Sequence, residues 1–174
     1  MIRVQAIVES ILYNLDESYN RQHSNNEFID AINSVLRYVN LSLINVESSY
    51  IANKVQLKPN NGVAKLPSDF GKFDSIEEDT NDTYEVMSNK IYIKNNTILK
   101  YYRIIPEVDD ISDEIDLPPI LFDLFVRFST MLLRKEPDKT GGSDGMAKLI
   151  AEEIRKMTAS DASRPLERPM QFYV

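Results

Sequence analysis

Apolar residues recur at three- and four-residue spacing through Val4, Ile7, Val8, Ile11, Leu12 and Leu15, while Glu9, Asn14 and Asp16 fall largely off that stripe. The spacing predicts an amphipathic helix over about residues 3–16. The same period returns in Phe28, Ile32, Val35, Leu36, Val39 and Leu43, with Asp30, Asn33 and Arg37 on other sides, and gives a second helix over about 25–45. Its start carries Ser24-Asn25-Asn26-Glu27, a capping box in which serine and glutamate satisfy free first-turn amides reciprocally. A short polar loop between the two helices predicts an antiparallel pair.

From about Asn53 the period changes to alternation, with Val55 and Leu57 set against Gln56 and Lys58. Pro59-Asn60-Asn61-Gly62 and then Val63 to Leu66 complete an expected hairpin. Leu66-Pro67-Ser68-Asp69-Phe70 breaks any strand, because proline supplies no amide hydrogen and serine and aspartate offer local hydrogen bonds. Strand signals resume at Tyr84–Met87, Ile91–Ile93 and, after an Asn95-Asn96 turn, Ile98–Ile105. The expected product is one small antiparallel sheet inserted between helical halves, over about 53–105.

A third helix, about 119–135, is apolar over most of its circumference, with Asp123, Arg127, Thr130 and Arg134 as one narrow polar stripe. Such a helix is central to the core or meets another subunit with part of its apolar face. Asp116 is a candidate cap for it, and Pro118-Pro119 suits a first turn whose amides lack partners anyway. Ser143-Asp144 opens a fourth helix, about 144–158, with Met146, Leu149, Ile150, Ile154 and Met157 on one side and Glu152 and Lys156 as a pair on the exposed side. The fold expected is therefore mainly α with a β insert: an antiparallel helix pair plus two C-terminal helices, a small antiparallel β-sheet between them and an extended C-terminal arm. Residues 1–160 form a single domain and 161–174 the arm, which holds two prolines, two arginines and the apolar tip Met170 to Val174. A frayed terminus is the plain reading of such a segment, and an arm that docks on a neighbour is the functional one.

Composition narrows the chemistry. The chain has 174 residues, no cysteine and one histidine, so thiolate catalysis, disulfides, Cys-based zinc sites and a multi-histidine metal centre within one chain are excluded. His23 lies in the polar run Tyr19-Asn20-Arg21-Gln22-His23-Ser24 and reads as a loop histidine. No membrane span is expected, because the longest apolar stretch, Ile120 to Leu133, is interrupted by Asp123 and Arg127. The N-terminus shows no secretory signal, so the product is expected to be made in a cytoplasm.

The net charge of −7 is concentrated between Glu77 and Asp116, where eleven acids meet four bases. The acid-rich run Pro106–Asp116 lacks the glycine of an EF-hand loop and reads as a solvated connector. Gly141-Gly142 is not followed by the Gly-Lys-Ser/Thr of a phosphate loop, and no nucleophile elbow is present. No acidic cluster is flanked by apolar residues able to raise a carboxyl pKa, so no enzyme activity and no cofactor are expected.

The order helix pair, β insert with Leu66-Pro67-Ser68-Asp69-Phe70, Tyr101-Tyr102-Arg103-Ile104-Ile105-Pro106, acidic stretch, Ile115-Asp116-Leu117-Pro118, long apolar helix and extended tail resembles the head-to-tail connector, or neck adaptor, proteins of tailed phages. The resemblance covers nearly the whole chain and carries no catalytic motif. It implies a virion structural protein that forms a homo-oligomeric, dodecameric ring beneath the portal protein at the neck, seats the tail or further neck proteins, and lets DNA pass transiently and non-specifically. It also implies a portal-docking arm made of Arg164, Pro165, Leu166, Arg168, Pro169, Met170, Phe172, Tyr173 and Val174, with Phe172 and Tyr173 as anchors and the arginines pairing acids. Asp109, Asp110, Asp113 and Glu114 are then candidate channel or rim acids. The alternative is a small nucleic-acid-binding or regulatory protein using the basic residues of the fourth helix and tail, which the acidic surplus disfavours.

Overall fold

The computed structural model describes residues 1–16, 22–77, 84–134 and 142–162. Among the described residues there are four α-helices: α1 (Val4–Asn14), α2 (Asn25–Asn45), α3 (Phe122–Leu133) and α4 (Gly142–Ala162). The same described residues hold eight strands: β1 (Ile2–Arg3), β2 (Ala52–Leu57), β3 (Val63–Lys65), β4 (Phe70–Glu77), β5 (Glu85–Met87), β6 (Lys90–Tyr92), β7 (Thr97–Arg103) and β8 (Glu114–Ile115). Of the described residues 45% are helical and about 25% lie in strands, in three small antiparallel sheets, so the expectation of a mainly α protein with a single inserted sheet is corrected to an α/β mix.

α1 and α2 start close to where the sequence places them, while α3 begins at Phe122, after the expected 119, and α4 at Gly142, before the expected 144. Ser24 Oγ accepts from the Glu27 amide at 3.3 Å and the Glu27 carboxylate accepts from the Ser24 amide at 2.8 Å, so the capping box forms in full. The expected pairing of the first two helices gives way to a different arrangement. The principal helix contacts are α1 with α3, α2 with α3 and α2 with α4. α3 is thus the shared support, and its buried Leu124, Phe125, Val126 and Phe128 are the reason it is apolar on so many sides. Thr130, expected on the polar stripe, is buried and donates its hydroxyl to the Val126 carbonyl at 2.7 Å. Nor does Asp116 cap this helix: a 3-10 turn, Pro119–Leu121, leads into it without a side-chain cap, and Asp116 pairs with Arg103 at 2.6 Å.

The β region is two three-stranded sheets sharing one core, in the orders β2-β7-β4 and β3-β6-β5. Leu57, Leu99 and Tyr101 of the first meet Ala64 and Ile91 of the second, with Leu66 and Ile93 beside them. Both expected hairpins are corrected here. The tight turn at Asn61-Gly62 does form, with positive φ at both residues, but its ladder stops at the single bridge Asn60↔Val63. β2 then pairs with β7, and β3 with β6. Likewise Asn95-Asn96 joins strands of different sheets, while the observed hairpin is β5–β6, turning at Ser88 with φ +54°.

β4 is the strand the sequence concealed. The Leu66–Phe70 break is real but short, and from Phe70 the chain pairs along β7 with register shifts between Phe70 and Lys72 and between Phe73 and Ser75. These irregularities interrupt the strict alternation that sequence reading depends on.

A second, larger core belongs to the helices. It includes Ile105, Val108, Ile115 and Leu117, so the acidic segment is not a solvated connector but a strap whose apolar residues sit in the core. β8, within the strap, pairs with β1 in a two-stranded sheet, Ile2↔Ile115 and Arg3↔Glu114, which ties the start of the chain to it. α4 runs to Ala162, so Asp161 and Ala162, assigned to the arm, are helical, and residues 163–174 lie outside the described residues.

Candidate interaction surfaces

The strap is positioned by one face of α2. Asn33 and Asn40 lie seven residues apart, two helical turns, and so project from the same side. Asn40 donates to the Ile105 carbonyl at 2.9 Å and accepts from the Ile105 amide at 3.0 Å. Asn33 does the same for Val108, donating at 2.8 Å and accepting at 2.9 Å. Each side-chain amide imitates the backbone of a neighbouring strand and satisfies a donor and an acceptor that burial would otherwise leave unmet. Asn33, assigned above to a polar side, is 7% exposed. Between the two asparagines, Arg37 donates through Nε and Nη2 to the two oxygens of Glu107 at 2.6 and 3.4 Å. That pairing holds the Glu107 carboxyl below its usual pKa range and raises Arg37.

The four candidate rim acids turn out to be partly occupied. Asp113 Oδ2 accepts from the amides of Asp109 and Asp110, both at 2.9 Å, and Asp110 Oδ1 accepts from the Ser112 amide at 2.8 Å. The backbone hydrogen bond from Ser112, followed by its side chain, lowers the Asp110 pKa. Glu114 lies 3.6 Å from Arg3 across the β1–β8 pair. These residues build a turn and seat the N-terminus, with the Val4 amide donating to the Asp113 carbonyl at 3.0 Å. Among the described residues no group of three His, Asp or Glu side chains is arranged to hold a metal ion. His23 stands beside Phe28, ring centroids 5.9 Å apart, next to the α2 cap.

Two features remain open to partners. A groove of about 690 Å³ is walled by Asn14, Asp123, Arg127, Arg134 and Glu153, and floored by Leu124, Val126, Thr130, Met131 and Met157. Arg134 donates to the Asn14 carbonyl and Arg127 pairs with Glu153, so α1, α3 and α4 are pinned together around it. Glu153, not Glu152, is the ion-paired acid described on α4. The second feature is the β5–β6 hairpin, where Tyr84, Val86, Met87 and Tyr92 are all exposed. Tyr84 is held by stacking on Phe73 at 5.0 Å. Ile120 and Leu149 are also exposed on the helical body, as are Leu41 and Ile104 near the joint with the sheets.

Of the acids singled out from sequence, Asp109, Asp110 and Asp113 are thus brought together in one turn and Glu114 stands in β8, and the arm residues Arg164–Val174 lie outside the described residues. Sequence reasoning missed the Asn33–Asn40 ladder and the hairpin patch. The signal for the first was present: two asparagines at helical spacing beside an apolar stripe, where a polar side chain requires a partner. No helix among the described residues is long and apolar enough to cross a membrane. No protein-family profile and no curated protein matches this chain.

Proposed function

We propose that the chain is a virion structural protein, a head-to-tail connector subunit that forms a ring on the portal, extends the DNA channel and provides the platform for the tail. The observation that carries the reading is the pairing of two separate cores with apolar side chains left at the surface of each: Ile120 and Leu149 on the helical body, Met87 and Tyr92 on the sheets. Large apolar side chains spread over two modules suit a subunit with several neighbours better than one concave catalytic site. In this reading the helical body packs laterally within the ring and the sheets face the tail. The residual negative charge of Asp109 and its neighbours lines a rim or channel wall along which DNA phosphates slide without adhering. The arm, Arg164 to Val174, reaches the portal.

Negative-stain microscopy of the purified chain mixed with portal protein provides the test. The expected result is a ring stacked coaxially on the portal, lost when the chain is cut after Ala162. A protein that stays monomeric and never joins the portal overturns the assignment. Salt-sensitive binding of duplex DNA by the isolated chain points instead to the nucleic-acid alternative.

A further inference from the structure

We propose that the outer face of the β3-β6-β5 sheet binds single-stranded nucleic acid, with Tyr92 stacking on a base and Lys65, Lys90 and Lys94 meeting phosphates. Burial alternates strictly along Lys90-Ile91-Tyr92-Ile93-Lys94: both isoleucines are buried in the sheet core, while the lysines and the tyrosine are exposed. The period of two puts Lys90 and Tyr92 on the solvent face of β6, about 7 Å apart. Lys94 continues the pattern just beyond the strand. The neighbouring strands extend this face: Val63 and Glu85 are the register partners of Tyr92, and Lys65 and Met87 those of Lys90.

Lys65 and Lys90 therefore stand directly across from each other, and like charges so placed destabilise a sheet unless an anion joins them. Among the described residues no carboxylate pairs with Lys65, Lys90 or Lys94. The one acid in these three strands is Glu85, on the edge strand beside Tyr92, so the face keeps a positive surplus. The exposed ring selects among anions. Carboxylate side chains offer no π-face to Tyr92, whereas an unpaired base of any sequence does. The acidic surplus of the chain does not oppose this: the strap that carries Glu107 to Asp116 packs on the helical core and not on these sheets. Exposed charges more than a Debye length apart, about 8 Å at physiological salt, are largely screened from one another. The site is separate from the basic residues of α4, and the proposal stands apart from the connector reading.

The test is fluorescence anisotropy of labelled oligo(dT), which does not pair with itself, titrated with the full chain at several salt concentrations. Stacking predicts that Tyr92→Ala weakens binding roughly 5- to 150-fold with the salt slope unchanged, while Tyr92→Phe retains it. Phosphate contact predicts that Lys65→Ala and Lys90→Ala each reduce the slope of log affinity against log salt by about 0.7. Lys148→Ala/Lys156→Ala on α4 is expected to bind as the parent chain does. All these side chains are exposed, and circular dichroism checks that each variant keeps the parent fold. Oligo(dT) left unbound at low salt overturns the proposal, as does a duplex bound as tightly as the single strand. Loss of binding on the α4 substitutions in place of those on the sheet overturns it too. Polyglutamate bound through the lysines without regard to Tyr92, when oligo(dT) is not, overturns it in favour of an acidic protein partner. No readout involves the portal, so a failure of the connector reading leaves this result intact.

Discussion

Asn40 joins α2 to the strap with two hydrogen bonds to one residue, Ile105, and both partners are buried. Replacing it with alanine leaves an amide and a carbonyl unsatisfied, and the cost of such groups is about 1–3 kcal/mol each. We expect Asn40→Ala to lower stability by about 2–4 kcal/mol, read as a reduced urea midpoint. A change under about 0.5 kcal/mol, typical of a surface site, shows that water replaces the side chain there. Tyr101 makes a second prediction. Burial raises its phenol pKa, and the Asp69 carboxylate that accepts from it at 3.0 Å acts in the same direction. An unfolded tyrosine titrates near pH ~10. Because the folded pKa is raised, the associated stability is full below that pH and is lost as pH rises through the folded value. Alkaline denaturation should therefore steepen above about pH 10 and be milder in Tyr101→Phe; identical alkaline profiles for the two proteins refute the assignment.

At the scale of elements, the join between helices and sheets depends on a close approach at Gly71 of β4. A Cβ at that position meets Ile44 Cδ1 on α2 at 2.9 Å and the Tyr102 carbonyl oxygen of β7 at 2.9 Å. The isoleucine tip can rotate, but the backbone oxygen of a central strand cannot move without disturbing two ladders. Gly71→Ala is expected to destabilise by about 1–3 kcal/mol, the range for overpacking a tight contact. Thermal unfolding followed by circular dichroism measures it, and an unchanged midpoint shows that the strands slide freely. Lys72, the next residue, pairs with Glu47 at 2.8 Å across the same joint. This geometry explains why the break at Pro67–Asp69 did not end the β region: the chain turns, and Phe70 at once becomes the end of the longest strand.

At the scale of the molecule, the described residues form two cores, and they should fail separately. Ile91 is fully buried at the centre of the sheet core, remote from the cluster around Phe125. Ile91→Ala is expected to cost about 2–5 kcal/mol. The loss should appear first as faster amide exchange in β3, β6 and β7, with α2 and α3 still protected. Simultaneous loss of protection in helices and sheets shows instead that the strap couples the two cores into one cooperative unit. The strap is the element on which that outcome turns, since Arg103 at the end of β7 pairs with Asp116 just before α3.

The sequence by itself determined the local elements: the apolar stripes of α1 and α2, the capping box at Ser24, the existence of an apolar α3, and the tight turn at Asn61-Gly62. Each is set by residues within a few positions of one another, where periodicity and turn chemistry act directly. Tertiary structure decided the rest. Which strands pair depends on contacts between distant segments, and so β2 and β3 leave their shared turn for different sheets. Strand β4 escaped notice because its irregular register hides the period of two, and Asn33 was placed on the wrong face because its partner, Val108, lies 75 residues away. A polar side chain reads as exposed until the backbone group it satisfies is known, and that group is brought to it only by the fold.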